Sequence, residues 1–261
     1  MEREVPAYEV VFSSETQHPY AVVIPVINEG QRLHGLLQRM QSLNTAYSAD
    51  IVIVDGGSTD GSLEHEVLKA YGVHSLLLKT GPGRLGAQLR CAYAYLLDQG
   101  YSGIVTIDGN GKDDPSTIPQ FIAKLQAGYD FVQASRFIKG GQGINTPLLR
   151  LLAIRLIHAP LLSLSSGFHW TDTTQGYRAY SRQLLEDPRV GVFREVFSSY
   201  ELLFYLSYIA PRLNYSCLEL PTVRSYPQGE VPTKISAFKG NMQIIITLLN
   251  VITGRFNVNS K

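Results

Sequence analysis

Short β-rich runs alternate with longer helix-period segments through the first half of this chain, and no other feature limits the fold as strongly. Tyr20 to Val26, Asp50 to Val54, Val73 to Leu78, Gly103 to Ile107 and Phe131 to Ala134 read as strands, with helices at Gln31 to Leu43, Leu63 to Tyr71, Leu85 to Gln99 and Thr117 to Gln126 between them. Strands joined in this order need crossover connections. The expected architecture is therefore an α/β domain on a mostly parallel, Rossmann-like sheet with helices on both faces. At 261 residues the chain exceeds one minimal core yet stays within the range of a single large α/β domain.

In such sheets ligands bind in the crevice beyond the carboxyl ends of the strands. Three polar or Gly-rich motifs sit at those ends: Pro25-Val26-Ile27-Asn28-Glu29, Asp55-Gly56-Gly57-Ser58-Thr59-Asp60-Gly61, and the turn that follows Ile104-Val105-Thr106-Ile107. The Asp55 stretch reads equally well as a turn with a helix N-cap, because Asp, Ser and Thr accept backbone N–H bonds there. Glu29 reads equally well as an acid that favours its helix start through the macrodipole. The third turn, Asp108-Gly109-Asn110-Gly111-Lys112-Asp113-Asp114-Pro115, differs from both. A cap needs one carboxylate and this turn supplies three, a density suited to meeting a cation or a phosphate.

Gly81-Pro82-Gly83-Arg84-Leu85-Gly86 matches the G-x-G-x-x-G pattern, follows a strand and opens a helix, and Asp108 ends the next strand where a ribose-binding acid is expected. Read literally, this is a dinucleotide-dependent oxidoreductase. Against that reading, the pattern lies on the third strand and not the first, and it leaves the Asp55 loop and the rest of the Asp108 turn without a role.

Composition narrows the partners. A net charge of +1 with 17% charged residues offers no field that would draw the chain onto nucleic acid. Cys91 and Cys217 lie far apart without metal-ligand spacing and read as small core filler in a reducing compartment. The N-terminus carries acidic residues where a secretory signal would be basic, so a cytoplasmic location is expected. Pro147 to Phe168 is Leu- and Ile-rich with only Arg150, Arg155 and His158 interspersed. That pattern suits a helix lying in a headgroup layer, giving peripheral contact at the cytoplasmic membrane face without a crossing. Met242 to Phe256 is a second such candidate, and a buried core or oligomer helix is the competing account of both.

Taken in order, these elements resemble the family 2 glycosyltransferases of GT-A fold, and within them the polyprenyl-phosphate sugar synthases. Val22-Val23-Ile24-Pro25 to Glu29 resembles the first-strand signature, Ile53 to Gly61 the V-D-D-G-S-x-D-G loop, and Gly81 to Gly86 an R-x-G-K-x-G-like segment. Trp170-Thr171-Asp172-Thr173-Thr174-Gln175-Gly176-Tyr177-Arg178-Ala179-Tyr180 is similar to the S-D-x-T-x-x-F-R-x-Y block, and Tyr226 to Ser236 to a Gly- and Lys-containing lid loop. The resemblance implies a nucleotide-diphosphate sugar donor held by Pro25, Glu29, Asp55, Arg84 and Asp108. It implies a polyprenyl phosphate acceptor held by Arg136, Arg150 and Arg178, and Lys234 on the leaving group. A divalent cation, Mg²⁺ or Mn²⁺, is implied at Asp108 and Asn110, where relatives carry D-x-D. Asp172 is implied either as a general base or as a structural acid that orients Arg178. An ionised lipid phosphate needs no base to attack. Inversion is expected because nothing advertises a carboxylate placed as a covalent nucleophile.

The sequence departs from the family pattern at Asn110 for Asp, at Lys112 where relatives often have Gln, and at Gly56 for Asp. Asn is a weaker ligand for a hard cation unless Asp113 or Asp114 compensates, and Lys112 is itself a positive charge. Two alternatives follow: a transferase acting on a saccharide hydroxyl with Asp172 or Glu201 as base, and a degenerate sugar-nucleotide-binding module. The expected organisation is an extension over 1–19, the catalytic domain over 20–236, and an amphipathic helix and tail over 237–261.

Overall fold

The computed structural model of the chain describes residues 3–227 and 239–258. Its first half runs β1 (Tyr8–Ser13), β2 (Tyr20–Val26), α1 (Gln31–Ser42), β3 (Asp50–Asp55), α2 (His65–Ala70), β4 (Val73–Lys79), α3 (Leu85–Asp98), β5 (Gly103–Thr106), α4 (Ile118–Gln126) and β6 (Phe131–Ser135). The second half adds β7 (Gln142–Ile144), α5 (Leu148–Ala153), α6 (Ala159–Ser166), β8 (Arg178–Ser181), α7 (Arg182–Glu186), α8 (Glu201–Arg212), β9 (Cys217–Pro221), β10 (Val223–Ser225) and α9 (Lys239–Ile252). Strands form one large sheet in the order β1-β4-β3-β2-β5-β8-β6-β9, and β10 and β7 pair separately.

The mostly parallel sheet expected from the alternation is present. β2 pairs parallel with β3 and β5, β3 with β4, and β6 with β9. β8 departs from the pattern, lying antiparallel between β5 and β6. Its sequence carries no strand signal beyond four residues, because its place is set by the gap that the β5-α4-β6 crossover leaves. β1, within the segment expected as an extension, closes the edge antiparallel to β4.

Alternation along β2 and β3 splits the core into two layers. Ala21, Val23, Val52 and Val54 pack on one face with α3 and α8, while Val22, Ile24, Ile51 and Ile53 pack on the other with α1 and α4. Helix α3 is buried from Gly86 to Leu97 because it lies between the sheet and α8. This explains the glycine pattern that imitated a dinucleotide fingerprint. A Cβ on Gly86 would stand 2.6 Å from the carbonyl oxygens of Phe197 and Ser199, and one on Gly81 would stand 2.6 Å from the Ala7 amide nitrogen. These glycines serve close chain crossings.

Residues 148–166 form one continuous 19-residue helix, long and apolar enough by length and composition to cross a membrane. A π-helical turn at Ile154–His158 joins α5 to α6, ending two residues before Pro160. Proline lacks the N–H that would close an α turn, and the wider turn absorbs that loss. Leu149, Leu156 and Leu164 are 82%, 69% and 86% exposed, whereas Ile154 and Leu162 are buried. The second apolar segment, α9, packs on α6 and α8 through Leu248 and Val251 and leaves Ile245, Ile246 and Leu249 exposed.

His158, buried in that turn, places Nδ1 2.9 Å from Thr173 Oγ1 and its ring edge-on to Phe204. Burial, with the nearby Arg178 charge, pushes its pKa down to about 4. Unfolded histidine titrates near 6.5, so between those values the unfolded chain binds a proton that the native chain does not. Stability from this group is intact above about pH 6.5 and falls as pH drops toward 4, by up to about 3 kcal/mol. Denaturant titrations at pH 7 and pH 4.5 should show a steeper loss for the wild type than for His158→Gln. Equal losses would contradict it.

Candidate active site

The tips of β2, β3 and β5 lie side by side, so the motifs that follow them are brought together. Gln88, buried on α3, donates Nε2 to the carbonyls of Val26 at 2.8 Å and Val54 at 3.0 Å, tying two tips to the helix below. A Cβ on Gly56 would meet that amide nitrogen at 3.0 Å, which accounts for glycine at this departure from the family pattern. Asn28, at φ 50°, accepts the Thr59 amide at 2.8 Å on Oδ1 and donates its own amide to Ser58 Oγ at 2.9 Å. Gly30 donates its amide to Asp60 at 2.9 Å. The loops after β2 and β3 are thereby fixed to each other.

Pro25 is half-buried in β2. Asp55 is buried and accepts the Ser58 amide at 3.0 Å and the Ser58 hydroxyl at 2.6 Å, so its carboxylate shapes the loop. Glu29 forms an ion pair with Arg32 at 3.0 Å. Arg84 donates its amide to the Ser198 carbonyl at 2.7 Å and lines, with Gly83, Ser198, Ser199 and Glu201, a hollow of about 430 Å³. Tyr200 is 36% exposed, and burial followed by the Asp108 charge raises its pKa. No motif in the sequence marks it.

The Asp108 turn differs most from expectation. Gly109 packs under Val26, and a Cβ on Gly176 would stand 2.3 Å from Asp108 Oδ1, so the segment leading into β8 must present glycine there. Asp108 Oδ2 accepts from Arg224 Nη2 at 3.2 Å and from Asn110 Nδ2 at 3.4 Å. Asn110 turns its oxygen inward to accept the Lys112 amide at 3.1 Å. Asp113 is fully buried and accepts from Arg224 Nη1. Burial raises its pKa and Arg224 opposes that shift. Backbone pairing holds the arrangement, since Ser225 donates to the Lys112 carbonyl at 2.8 Å and Asp114 to the Val223 carbonyl at 3.1 Å. Asp114 caps the next helical turn by accepting the Ser116 amide at 3.0 Å. Neither Asp113 nor Asp114 compensates for Asn110 in the way the sequence allowed. Among the described residues no group of three His, Cys, Asp or Glu side chains is placed to hold a metal ion.

A cluster of cations surrounds Tyr226, which sequence reasoning placed in a loop without a role. Its hydroxyl accepts from Arg136 Nη1 at 3.0 Å and Arg150 Nη1 at 3.5 Å. Lys112, Arg150 and Arg224 lie over its ring at 5.1, 5.6 and 5.8 Å. Burial works against the phenolate, and Arg224, Arg136 and Arg150 outweigh it, lowering the Tyr226 pKa. For Lys112 burial itself lowers the pKa, helped by Arg224.

Three roles implied by the resemblance are revised by these contacts. Arg178 has no exposed surface and donates to the carbonyls of Gln175 at 2.8 Å and Thr173 at 2.9 Å and to that of Leu203, so it braces the core instead of meeting an acceptor. Asp172, equally buried, accepts Arg136 Nε at 2.7 Å and Nη2 at 2.9 Å. Burial opposes its charge, but Arg136 holds its pKa below the usual carboxylate range, and a carboxylate so paired is no general base. It orients Arg136, not Arg178. Arg136 is thereby committed to the cleft wall, with Nη1 on Tyr226. Lys234 lies outside the described residues.

Comparison with known proteins places the family and the fold. Residues 21–188 match the model of glycosyl transferase family 2. The polyprenol monophosphomannose synthase of Mycolicibacterium smegmatis is 32% identical over 170 residues, 63% of this chain and 62% of that protein. The undecaprenyl-phosphate mannosyltransferase of Micrococcus luteus is 30% identical over 166 residues, 62% of this chain and 66% of that protein. The matches thus span just under two thirds of either relative. Among solved structures, glucosyl-3-phosphoglycerate synthase of Mycobacterium tuberculosis with Mn²⁺, uridine diphosphate and phosphoglyceric acid superposes with TM-score 0.63 at 19% identity, covering 89% of this chain and 78% of that one. The same enzyme with Mn²⁺ and UDP-glucose gives 0.60 at 20% identity, covering 90% and 79%. The fold is of GT-A type, and the chain belongs to glycosyl transferase family 2.

Proposed function

We propose that the chain moves one sugar from a nucleotide-diphosphate donor to a polyprenyl phosphate at a membrane face, by direct displacement with inversion. An acceptor phosphate oxygen forms the new bond to the anomeric carbon while the bond to the donor's β-phosphate oxygen breaks, and that electron pair leaves with the nucleoside diphosphate. The observation that carries the reading is Arg150. It stands on a helix whose outer face is exposed leucine, yet its guanidinium reaches the Tyr226 hydroxyl, 3.5 Å away, inside the cation cluster. A guanidinium there suits a phosphate whose lipid tail runs along the apolar face. The names of both curated relatives support a polyprenyl phosphate acceptor. The burial of Asp172 favours an acceptor that arrives ionised over a hydroxyl that needs a base.

Purified protein incubated with labelled UDP- and GDP-sugars should pass label into the organic phase only when polyprenyl phosphate is present. Arg150→Ala should lower that transfer by about a hundredfold, the scale of one lost charge-assisted phosphate contact. The triple change Leu149→Asp, Leu156→Asp and Leu164→Asp should abolish flotation with anionic vesicles. Transfer to free saccharides that survives Arg150→Ala would overturn the acceptor assignment.

A further inference from the structure

We infer that Lys112 and Arg224 supply, from the chain itself, the positive charge opposite the donor diphosphate that a divalent cation would otherwise supply. This inference rests on the donor reading above. The argument begins with the oxygens a hard cation would need. Asp108 Oδ2 already accepts two donors, Asn110 has turned its carbonyl oxygen onto a backbone amide, and Asp113 is sealed in the interior against Arg224. Among the described residues that leaves Asp108 Oδ1 as the turn's one carboxylate oxygen outside the interior without a hydrogen-bond donor, and a single such oxygen beside two fixed cations is a poor fit to a hard dication that prefers near-octahedral oxygen ligands.

Charge gives the same answer independently. Of the turn's three carboxylates, Asp114 is spent on the Ser116 amide and hydroxyl, and the other two, Asp108 and Asp113, meet two cations, Lys112 and Arg224, so their charge is balanced before any ligand arrives. A D-x-D site works because surplus negative charge attracts the dication, and here that surplus is cancelled by groups the fold cannot easily withdraw. Arg224 is buried, cannot be deprotonated and is held by Asp113 and by the backbone bridge between those two residues. Lys112 is only part-buried, with Nζ 5.1 Å from the Tyr226 ring, so its ammonium remains available to phosphate oxygens. Arginine and lysine fixed where a diphosphate departs stabilise its growing charge without reorganisation at the moment of reaction.

Calorimetric titration of the wild type with UDP, GDP, CDP, ADP and dTDP, in EDTA and then in Mn²⁺, tests this. One of these nucleotides should bind in EDTA, with an affinity that Mn²⁺ changes by less than about threefold. Lys112→Gln leaves the backbone bonds of the turn in place and should weaken binding in EDTA by about tenfold or more, the worth of one charge-assisted contact. Binding that appears only with Mn²⁺, or a Lys112→Gln protein that binds as well as wild type in EDTA, would overturn the inference and leave the donor reading standing. Failure of every nucleotide to bind under either condition would instead remove the donor reading, and this inference with it.

Discussion

Sugar transfer should fall by about a hundred- to a thousandfold in Asp108→Ala, while the melting temperature moves little, because the carboxylate organises the charge that faces the leaving group. Its side chain is 24% exposed at the tip of β5 and contributes little packing. One oxygen nevertheless anchors both Arg224 and Asn110. Without it, Arg224 keeps Asp113 and its place over the Tyr226 ring among the described residues, but loses the contact that aims its second nitrogen at the β5 tip. A displacement of about 1 Å at a reacting centre is enough to cost on the order of a hundredfold in rate. Turnover with labelled donor, measured beside thermal unfolding, separates this from misfolding. Near-normal turnover in a folded Asp108→Ala protein would remove Asp108 from the mechanism.

Asp172→Ala should produce the opposite pattern, a loss of stability before a loss of chemistry. Both Asp172 and the Arg136 guanidinium are withdrawn from water, with side chains 0% and 1% exposed. Deleting the carboxylate strands a buried charge, which costs about 3–5 kcal/mol. For a chain of this size, that corresponds to a fall of about 10 °C in the unfolding midpoint. Gln175, which donates to the same carboxylate at 2.5 Å, would lose its partner as well. Removing both charges together, as Arg136→Met with Asp172→Leu, leaves no ion unpaired and should be less damaging than Asp172→Ala alone. If the double variant loses as much as the two single changes added together, the pair is not the coupled unit described.

The central strands were legible because β2, β3 and β5 are short Val- and Ile-rich runs ended by Gly, Asp and Asn, signals that need only neighbours in sequence. β8 was not legible. It is four residues long, its flanks are set by Gly176 under Asp108, and its antiparallel place is dictated by the space between β5 and β6. The same division runs through the site. Motif order identified the loops that hold Pro25, Glu29, Asp55 and Asp108, since loops at strand ends follow from where strands stop. It misjudged the charged residues around them. Arg178 read as a ligand group and is a core brace; Asp172 read as a base or a partner of Arg178 and is the partner of Arg136; Tyr226 read only as the start of a lid loop and Arg224 carried no motif, yet both stand at the centre of the cation cluster.

Sequence alone thus determined the sheet, its parallel core and the edge at which the ligand-facing loops gather, because hydrophobic period and turn chemistry act over a few residues. Only the tertiary structure decided which charges meet. Arg224 finds Asp113 across 111 residues and Arg136 finds Asp172 across 36. Coulomb energy and desolvation depend on distance and burial in space, and neither is written in local order along the chain.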